Sequence, residues 1–479
     1  MDFYGRKEIL SQLNALWGKK HASFVTCRGR RRIGKSTLIE KFAQDSKARF
    51  IKIEGLKPNE KTNDKSERES FAEQLSVQTS AETTCPENWL QAFVRLDKEI
   101  DDKRKTVVLL DEVSWMAYDS PTFSGTLKIA WDNYLKKHDR LVFVVCGSVS
   151  TWIRENIVDD GAFYGRRSLD IVVPELPLCD CVKFWGSRAK RLSTKDIVDV
   201  LSVTGGVPRY LEEINPSLSA IENIRSLCFV PKAPLREDFD EMFHDVITKQ
   251  PRFVEKVLRA LVDGPLTVTE IAAALGVEKG GDISKALDQL CESGMVSNDG
   301  GRNPETGAEV RASRYRLSDN YVRFYLKYIE PNIRTIDQNA YSFTGLDQFK
   351  NWDSVMGLQF ENLVLANYRS ILPHLRLDRV VIRSAAPYGK RGSKKSGREG
   401  FQIDLLVQSE MSMVLFEVKR KREIGREVIE EVRRKVKLLR RPEETSLRLV
   451  LVYEGLLDRS LEADGFFDAV VNVRELLGL

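Results

Sequence analysis

The stretch Gly29-Arg30-Arg31-Arg32-Ile33-Gly34-Lys35-Ser36 decides the fold of the amino-terminal part of the chain. It fits the pattern G-x-x-x-x-G-K-[ST], whose glycines let backbone N–H groups curl around phosphate. Residues 23–29 read as a short buried strand, and the apolar spacing from Lys35 onward is helical. A turn between strand and helix is the context that a phosphate-binding loop needs, so the stretch predicts a P-loop.

Two further apolar runs predict a parallel α/β sheet around this loop. Residues 106–110 lead into Asp111-Glu112, and residues 141–145 lead into Cys146-Gly147-Ser148. Strands that alternate with helical stretches are typical of parallel sheets. Because open parallel sheets bind ligands at the carboxyl ends of their strands, we expect the three segments to converge on one nucleotide site.

The predicted ligands of this site are ATP and magnesium. Lys35 and Ser36 would reach the β- and γ-phosphates and the metal. Asp111 would hold magnesium through water, and Glu112 would polarise the attacking water. Ser148 either senses the γ-phosphate or simply ends its strand. The predicted nucleotide-binding residues are Gly29, Gly34, Lys35, Ser36, Thr37, Asp111 and Ser148.

The middle of the chain predicts a helical lid followed by a winged helix. Residues 180–245 are mainly helical in pattern and would pack on the sheet domain as a lid. Three short helices, at 253–262, 267–275 and 282–293, then precede a hairpin that includes Met295-Val296 and Tyr315-Arg316-Leu317.

Charge argues against deep insertion of this module into DNA. The last helix carries Asp282, Asp288 and Glu292 against Lys285. The wing is more basic, with Arg302, Arg311, Arg314 and Arg316 against Glu305 and Glu309. Because DNA phosphates repel an acidic helix, the reading of bases by a transcription factor is disfavoured.

The last part of the chain predicts a second α/β domain with an acidic site. Strand signals occur at 379–382, 402–407, 413–419 and 447–453. A turn centred between Glu410 and Met411 would oppose Asp404 to Glu417, with Lys419 on the same face. Since buried carboxylates need a cation, magnesium is the expected partner, and Lys419 would stabilise hydroxide or phosphate. The alternative is an Asp/Lys ion pair across a hairpin.

Charge distribution points to DNA as a partner. The chain has a net charge of +5, but residues 383–441 hold 17 Lys and Arg against 8 Asp and Glu. The basic loop 388–398, which contains Lys390-Arg391-Gly392-Ser393-Lys394-Lys395, would grip phosphate. With 42% hydrophobic residues and no long apolar run, we expect a soluble cytoplasmic protein with no membrane segment. The seven cysteines are scattered, so reduced thiols are expected and a zinc site has little support.

Residues 1–330 resemble the archaeal-type P-loop ATPases of the STAND and AAA-like class. Beyond the two motifs and Gly147-Ser148, the resemblance includes Phe3-Tyr4-Gly5-Arg6, Phe163-Tyr164-Gly165-Arg166-Arg167 and the segment from Gly205 to Leu211. It implies that the opening segment packs near the adenine and that Arg166 or Arg167 acts as an arginine finger. The alternative for this pair is a solvated surface. Arginine fingers supplied in trans imply self-association. The resemblance also implies a structural or coupling role for the winged helix, which in this class often reports nucleotide state to the next domain.

Asp404 and Glu417-Val418-Lys419 resemble the active-site signature of the PD-(D/E)XK nucleases, which have a restriction-endonuclease-like fold. Glu361, in the predicted helix 357–364, would complete the set. One departure is that Gln402-Ile403, rather than proline, precedes Asp404.

These observations predict an α/β protein with three domains. They are a P-loop ATPase with a lid (1–245), a winged helix (246–330) and a PD-(D/E)XK nuclease-like domain (331–479). The predicted function is ATP hydrolysis coupled through the winged helix to a magnesium-dependent nuclease acting on DNA. The alternative is an ATP-switched DNA-binding regulator or scaffold with a non-catalytic nuclease-like domain. Predicted catalytic residues are Glu112, Arg166, Asp404, Glu417 and Lys419, and predicted metal ligands are Ser36, Asp111, Glu361, Asp404 and Glu417.

Overall fold

The computed structural model of the protein describes residues 3–148, 150–247, 250–310, 314–341, 345–346, 349–377, 379–392 and 399–479. The chain forms two compact units. The first unit contains Met1–Glu175 and Met242–Lys249, and the second contains Leu176–Glu241 and Gln250–Leu479. In the part of the chain that the structure describes, no helix is both long and apolar enough to cross a membrane.

The first unit contains a five-stranded parallel sheet in the order β2-β3-β4-β1-β5. Its strands are β1 (Ser23–Arg28), β2 (Arg49–Glu54), β3 (Thr106–Asp111), β4 (Leu141–Gly147) and β5 (Arg167–Val172). Its helices include α1 (Lys7–Ala15), α2 (Lys35–Asp45), α3 (Asp64–Gln78), α4 (Trp89–Lys98), α5 (Val113–Met116), α6 (Phe123–Asn133) and α7 (Ser150–Ile153). Every residue of β3 and β4 is buried, as expected of central strands covered on both faces. The predicted parallel sheet and its three strands are confirmed.

The predicted lid is helical, but its packing differs from the prediction. It contains α8 (Leu178–Cys181), α9 (Thr194–Thr204), α10 (Pro208–Leu211), α11 (Ala220–Cys228) and α12 (Pro234–Val246). Residues Leu176–Glu241 belong to the second unit rather than to the sheet domain. The reason is the burial of apolar side chains. The helix α9 is buried throughout from Ile197 to Thr204, because it packs against two later helices of the same unit.

The three helices and the hairpin predicted next are present. The helices are α13 (Pro251–Ala260), α14 (Val268–Leu275) and α15 (Gly281–Glu292). The strands β6 (Leu266–Thr267), β7 (Val296–Asn298) and β8 (Arg314–Leu317) form an antiparallel sheet in the order β6-β8-β7. The helices α16 (Asn320–Phe324), α17 (Ile333–Asp337) and α18 (Trp352–Asn367) follow, and α9 packs against α16 and α18.

The carboxyl-terminal part contains a mixed sheet in the order β13-β12-β11-β10-β9. Its elements are β9 (Ser384–Lys390), β10 (Phe401–Gln408), β11 (Ser412–Ile424), α19 (Glu427–Leu438), β12 (Ser446–Leu457), α20 (Arg459–Ala463), β13 (Ala469–Asn472) and α21 (Val473–Leu477). The strands β9, β10 and β11 are antiparallel neighbours, whereas β11, β12 and β13 are parallel. Apolar side chains of α19 pack on one face of this sheet and form its core.

The first strand of this sheet corrects the sequence prediction. A strand was expected at 379–382, but β9 begins at Ser384. Val381 is 80% exposed and so has no packing surface, whereas residues 384–390 pair with β10. Tertiary pairing therefore overrides the local β-propensity of the Val-Val-Ile run.

Candidate functional sites

The P-loop of the first unit has the geometry that its glycines predict. Gly29 has a φ of 151°, and a Cβ atom there would lie 2.8 Å from the carbonyl oxygen of Val173. Gly34, with a φ of 84°, precedes the first turn of α2. The ammonium group of Lys35 is buried and donates to the carbonyls of Gly29 and Arg30 at 3.0 and 3.1 Å. Backbone conformation thus requires glycine at both positions.

The two predicted magnesium ligands of this unit lie in contact. The hydroxyl of Ser36 donates to Oδ2 of Asp111 at 2.5 Å. The same carboxylate oxygen lies 3.1 Å from Nζ of Lys52, on the neighbouring strand β2. Burial lowers the pKa of Lys52, but the carboxylates of Asp111 and Glu54 outweigh burial and raise it overall. Lys52 is a site residue that the sequence analysis missed, because β2 was not predicted.

Glu112 and Ser148 also meet at this edge of the sheet. Oε2 of Glu112 accepts hydrogen bonds from the backbone N–H and from the hydroxyl of Ser148, at 3.0 and 2.9 Å. Glu112 has a φ of 47°, which turns the chain sharply after β3. The opening segment lies close by, since Arg6 donates to the carbonyl of Ile33 at 3.3 Å. Thr37 is exposed on α2.

Arg166 does not join this cluster. Its neighbour Arg167 pairs with Phe24 at the amino end of β1, whereas Arg28, at the carboxyl end, leads into the P-loop. Arg166 forms a bidentate ion pair with Asp132, at 2.8 and 2.9 Å. Because amino and carboxyl ends of parallel strands lie at opposite edges of a sheet, Arg166 cannot contact the nucleotide of its own chain.

In the carboxyl-terminal sheet, the predicted hairpin register is confirmed. Leu405 pairs with Phe416 and Leu406 with Leu415, which sets Asp404 opposite Glu417. Oδ2 of Asp404 accepts a hydrogen bond from the backbone N–H of Val418 at 2.8 Å. Two carboxylates are therefore held side by side, as the spacing of the sequence predicts.

The cation beside these carboxylates is a lysine that the sequence analysis missed. Lys435, on α19, donates to both carboxylate oxygens of Glu417, which is fully buried. Lys419 lies 2.7 Å from Oε1 of Glu417 and 2.9 Å from Oε2 of Glu431. These buried carboxylates therefore do not depend on magnesium alone for a cation, because α19 supplies a second lysine. Lys435 lies in an amphipathic helix, three residues after the core residue Val432, and this spacing is a weak sequence signal that its side chain is buried.

Two other carboxyl groups of the acidic cluster lie in surroundings that disfavour their charged form. Burial raises the pKa of Asp404 well above its usual range, and the carboxylates of Glu417 and Glu361 raise it further. Burial likewise raises the pKa of Glu361, which lies on α18 as predicted. These hard oxygen donors fit a divalent cation by type and by charge. Across the described residues, however, no group of three or more His, Cys, Asp or Glu side chains is arranged around a metal position.

A cavity of about 780 Å³ adjoins this cluster. Asp404, Lys419 and Lys435 line it, together with Glu361 and residues of the β7–β8 hairpin. Among the described lining residues, eight are Lys or Arg and four are Asp or Glu. The cavity is thus cationic around an acidic centre, which suits a phosphate group held beside carboxylates.

The β7–β8 hairpin is packed against the carboxyl-terminal sheet. The backbone N–H of Arg302 donates to Oγ of Ser384 at 3.2 Å, and its carbonyl accepts from Gln408 at 2.8 Å. Arg316, one of the four arginines that make the wing basic in sequence, is buried and forms a bidentate ion pair with Asp299, at 3.0 Å for both contacts. Arg302 and Arg314 remain at least partly exposed. Arg311 and residues 393–398 of the predicted basic loop lie outside the described residues.

Comparisons with known proteins agree with the nucleotide site of the first unit. Residues 3–214 match a family model described as an ATPase domain predominantly from Archaea. An uncharacterized protein of Methanocaldococcus jannaschii is 22% identical over 369 residues, which span 75% of this chain and 76% of the relative. The match, together with the geometry around Lys35 and Asp111, supports ATP binding and hydrolysis by a P-loop ATPase domain.

Two solved structures are also similar to this chain. The Walker-type ATPase of Pyrococcus abyssi has a TM-score of 0.49 at 16% identity, over 68% of this chain and 96% of that structure. The ORC2 protein of Aeropyrum pernix, solved as ADPNP-ADP complexes, has a TM-score of 0.42 at 14% identity, over 70% and 93% of the two chains.

Proposed function

We propose that the chain is an ATPase whose second unit is a magnesium-dependent nuclease acting on DNA, with cleavage controlled by nucleotide state. The observation that carries the nuclease proposal is that Asp404 and Lys419 line one cationic cavity and both adjoin the buried carboxylate of Glu417. This arrangement places a carboxylate and a lysine where a phosphodiester can approach them. The hairpin packed on β9 and β10 supports a coupling role for the winged-helix segment.

Each residue has a defined task in this proposal. Asp404, Glu361 and Glu417 would hold magnesium, which when bound supplies Lewis acidity at the phosphate and activates water. Lys419 acts as a cation rather than a base. Burial lowers its pKa, but Glu417 and Glu431 raise the pKa well above its ordinary value. A protonated ammonium can therefore stabilise the charge that develops on a phosphate oxygen.

One observation favours a second candidate, an ATP-switched DNA-binding regulator. Both oxygens of Glu417 accept hydrogen bonds from Lys435, so a metal ion at Glu417 has to share this carboxylate with the lysine. A site in which lysines permanently neutralise the glutamate would bind phosphate without cleaving it. DNA remains the proposed partner in both cases.

The experiment that separates the two candidates uses the full chain. Supercoiled, linear and single-stranded DNA are incubated with Mg²⁺ or Mn²⁺, with and without ATP. Asp404→Ala and Lys419→Ala are compared with the unmodified protein, and Lys35→Ala removes the P-loop cation. Loss of cleavage in the first two variants establishes the nuclease. A change in the ATP dependence of cleavage in Lys35→Ala shows control by ATP. DNA binding without any variant-sensitive cleavage supports the regulator instead.

Self-association is a further part of the proposal. Because Arg166 lies at the edge of the sheet away from its own nucleotide site, an arginine-finger role requires a second copy of the chain. Mixing Arg166→Ala with Lys35→Ala tests this, since each mixed contact can pair one intact P-loop with one intact arginine. Recovery of ATP hydrolysis above either variant alone supports the role. Retention of full activity by Arg166→Ala contradicts it.

A further inference from the structure

We propose that the cavity of the second unit accepts single-stranded nucleic acid, at an end, an overhang or an opened region, and excludes continuous duplex. This inference rests on the proposed function, because it names the substrate class of the same site. The size of the cavity is its first support. A volume of about 780 Å³ lies within the range of small-molecule pockets, roughly 300–1,000 Å³. A continuous B-form duplex is too large to enter a pocket of this size, since its major groove alone is about 12 Å wide.

The depth of the acidic pair is the second support. Glu417 is fully buried, and Asp404 is bound to the backbone of the neighbouring strand. Asp404 lines the cavity, so a phosphodiester has to enter the cavity to reach it. A flexible single strand can do so, because its neighbouring nucleotides can bend away, whereas the phosphates of a duplex are held in a stiff helix.

The hairpin closes one side of the cavity and is firmly anchored. Asp299, Gly301 and Arg314 line the cavity from this side. Gly301 sits so close to β9 that a Cβ atom there would lie 3.1 Å from Cβ of Ala386. At its other end, Arg316 pairs with Asp299 on the facing arm of the hairpin and donates to Asn362 on α18, which anchors the hairpin. A duplex would have to displace these contacts, whereas a single strand passes beneath them.

The lining offers both features by which proteins bind single strands. Arg314, Lys390 and Lys421 line the cavity and form no ion pair with any described residue, so they are available to phosphates. Tyr388 also lines the cavity, and its ring rests on Phe401 with centroids 6.1 Å apart. Cationic grooves combined with aromatic rings are typical of sequence-tolerant binding to single strands.

Binding is measured by fluorescence anisotropy on full-length Asp404→Ala protein, which removes cleavage. The probes are one sequence as a single strand, as a duplex with a single-stranded overhang and as a blunt duplex, at matched salt. We expect the single strand and the overhang to bind at least about tenfold more tightly than the blunt duplex. Cleavage by the unmodified protein is compared on the same probes and on closed circular duplex.

Three sets of variants connect the preference to the cavity. Tyr388→Ala should weaken single-strand binding at least about fivefold, whereas Tyr388→Phe retains the ring and Tyr118→Ala, on the first unit, serves as the control. Neutralising Arg314, Lys390 and Lys421 together should reduce the slope of log K against log salt by about 2. Removing the hairpin anchors with Ser384→Ala and Gln408→Ala should reduce the difference in binding affinity between the single strand and the blunt duplex.

The outcomes separate this inference from the proposed function. Blunt or closed circular duplex bound and cleaved as well as single strands would overturn the inference and leave the nuclease standing. Single-strand preference that does not change in the Tyr388 and cation variants would also overturn it, because the preference would then arise elsewhere. Absence of binding and cleavage with every probe would remove the proposed function itself.

Discussion

Lys435 donates a hydrogen bond to each carboxylate oxygen of Glu417, at 2.8 and 2.7 Å. The helix α19 thereby delivers a cation to the least exposed carboxylate of the acidic cluster. Removing one partner of a buried charge pair is far more costly than removing a surface pair, because the other charge stays desolvated. The relationship therefore links the stability of the second unit to the occupancy of its site.

Lys435→Gln is expected to destabilise the protein in metal-free buffer by about 3 kcal/mol, since Lys419 still partners Glu417. Mg²⁺ should restore more stability to this variant than to the unmodified protein, because a cation can take the place that the lysine leaves. Urea denaturation with and without Mg²⁺ measures both effects. Lys437→Gln, exposed on the same helix, is the matched control. Equal Mg²⁺ effects in both variants would show that the ion does not reach Glu417.

The hairpin that carries Asp404 and Glu417 could be predicted because its register depends on local information. A short polar turn between two apolar strands fixes which residues face each other, and Leu405 pairs with Phe416 accordingly. The same is true of the P-loop, whose glycines are required by the backbone itself. In these places the sequence pattern and the folded contacts depend on the same few residues.

Lys435 and Lys52 could not be predicted in the same way. Each belongs to an element whose partner lies far along the chain, and Lys435 is 18 residues from Glu417. The burial of Arg316 was missed for a related reason, since an arginine in a hairpin is usually solvated. Arg316 is paired with Asp299 and also donates a hydrogen bond to Asn362 on α18. The side chain of Asn362 in turn donates to the carbonyl of Leu317 in β8. Tertiary partners of this kind have no periodic signature.

The ion pair between Asp199 and Arg420 connects the lid helix α9 to β11, one residue from Lys419. Glu454 also lies 3.4 Å from Arg420. Asp199→Asn is expected to weaken this connection and to reduce the effect of ATP on DNA binding, while ATP hydrolysis stays within about twofold of normal. Anisotropy with and without ATP measures the first effect, and phosphate release measures the second.

Asp196→Asn, in the half-buried first turn of α9, is the control for this variant. A charge reversal at both positions, Asp199→Arg with Arg420→Asp, should recover part of the ATP effect if the pair itself matters. Unchanged ATP dependence in Asp199→Asn would show that ATP influences DNA binding by a route that does not include this ion pair.

Lys52 is expected to set the magnesium requirement of ATP hydrolysis. Its ammonium lies 3.1 Å from the oxygen of Asp111 that also binds Ser36, so it opposes the approach of another cation. Lys52→Gln should lower the Mg²⁺ concentration that gives half-maximal hydrolysis by roughly three- to tenfold. Lys47→Gln, before β2, is the control. A higher magnesium requirement in Lys52→Gln would mean that the lysine orients Asp111 rather than competing with the ion.

Glu67 on α3 should make the first unit less stable as the pH rises. Burial raises the pKa of Glu67 to about 7, because only Oε2 has a partner, the backbone N–H of Leu56, while Oε1 has none in the described structure. The unfolded chain releases this proton near pH 4.5, so the folded state loses relative stability between about pH 4.5 and 7 and stays at the lower level above that.

Glu67→Gln keeps an acceptor for Leu56 and removes the charge, so it should raise the denaturation midpoint at pH 8 and leave it nearly unchanged at pH 4.5. Thermal denaturation across this pH range measures the difference, with Glu73→Gln, exposed on the same helix, as the control. If the two variants follow the same pH profile, the carboxyl group of Glu67 does not hold its proton in the folded protein. A rise in the denaturation midpoint that occurs only in Glu67→Gln and only above pH 7 would show that this buried charge opposes folding of the ATPase unit.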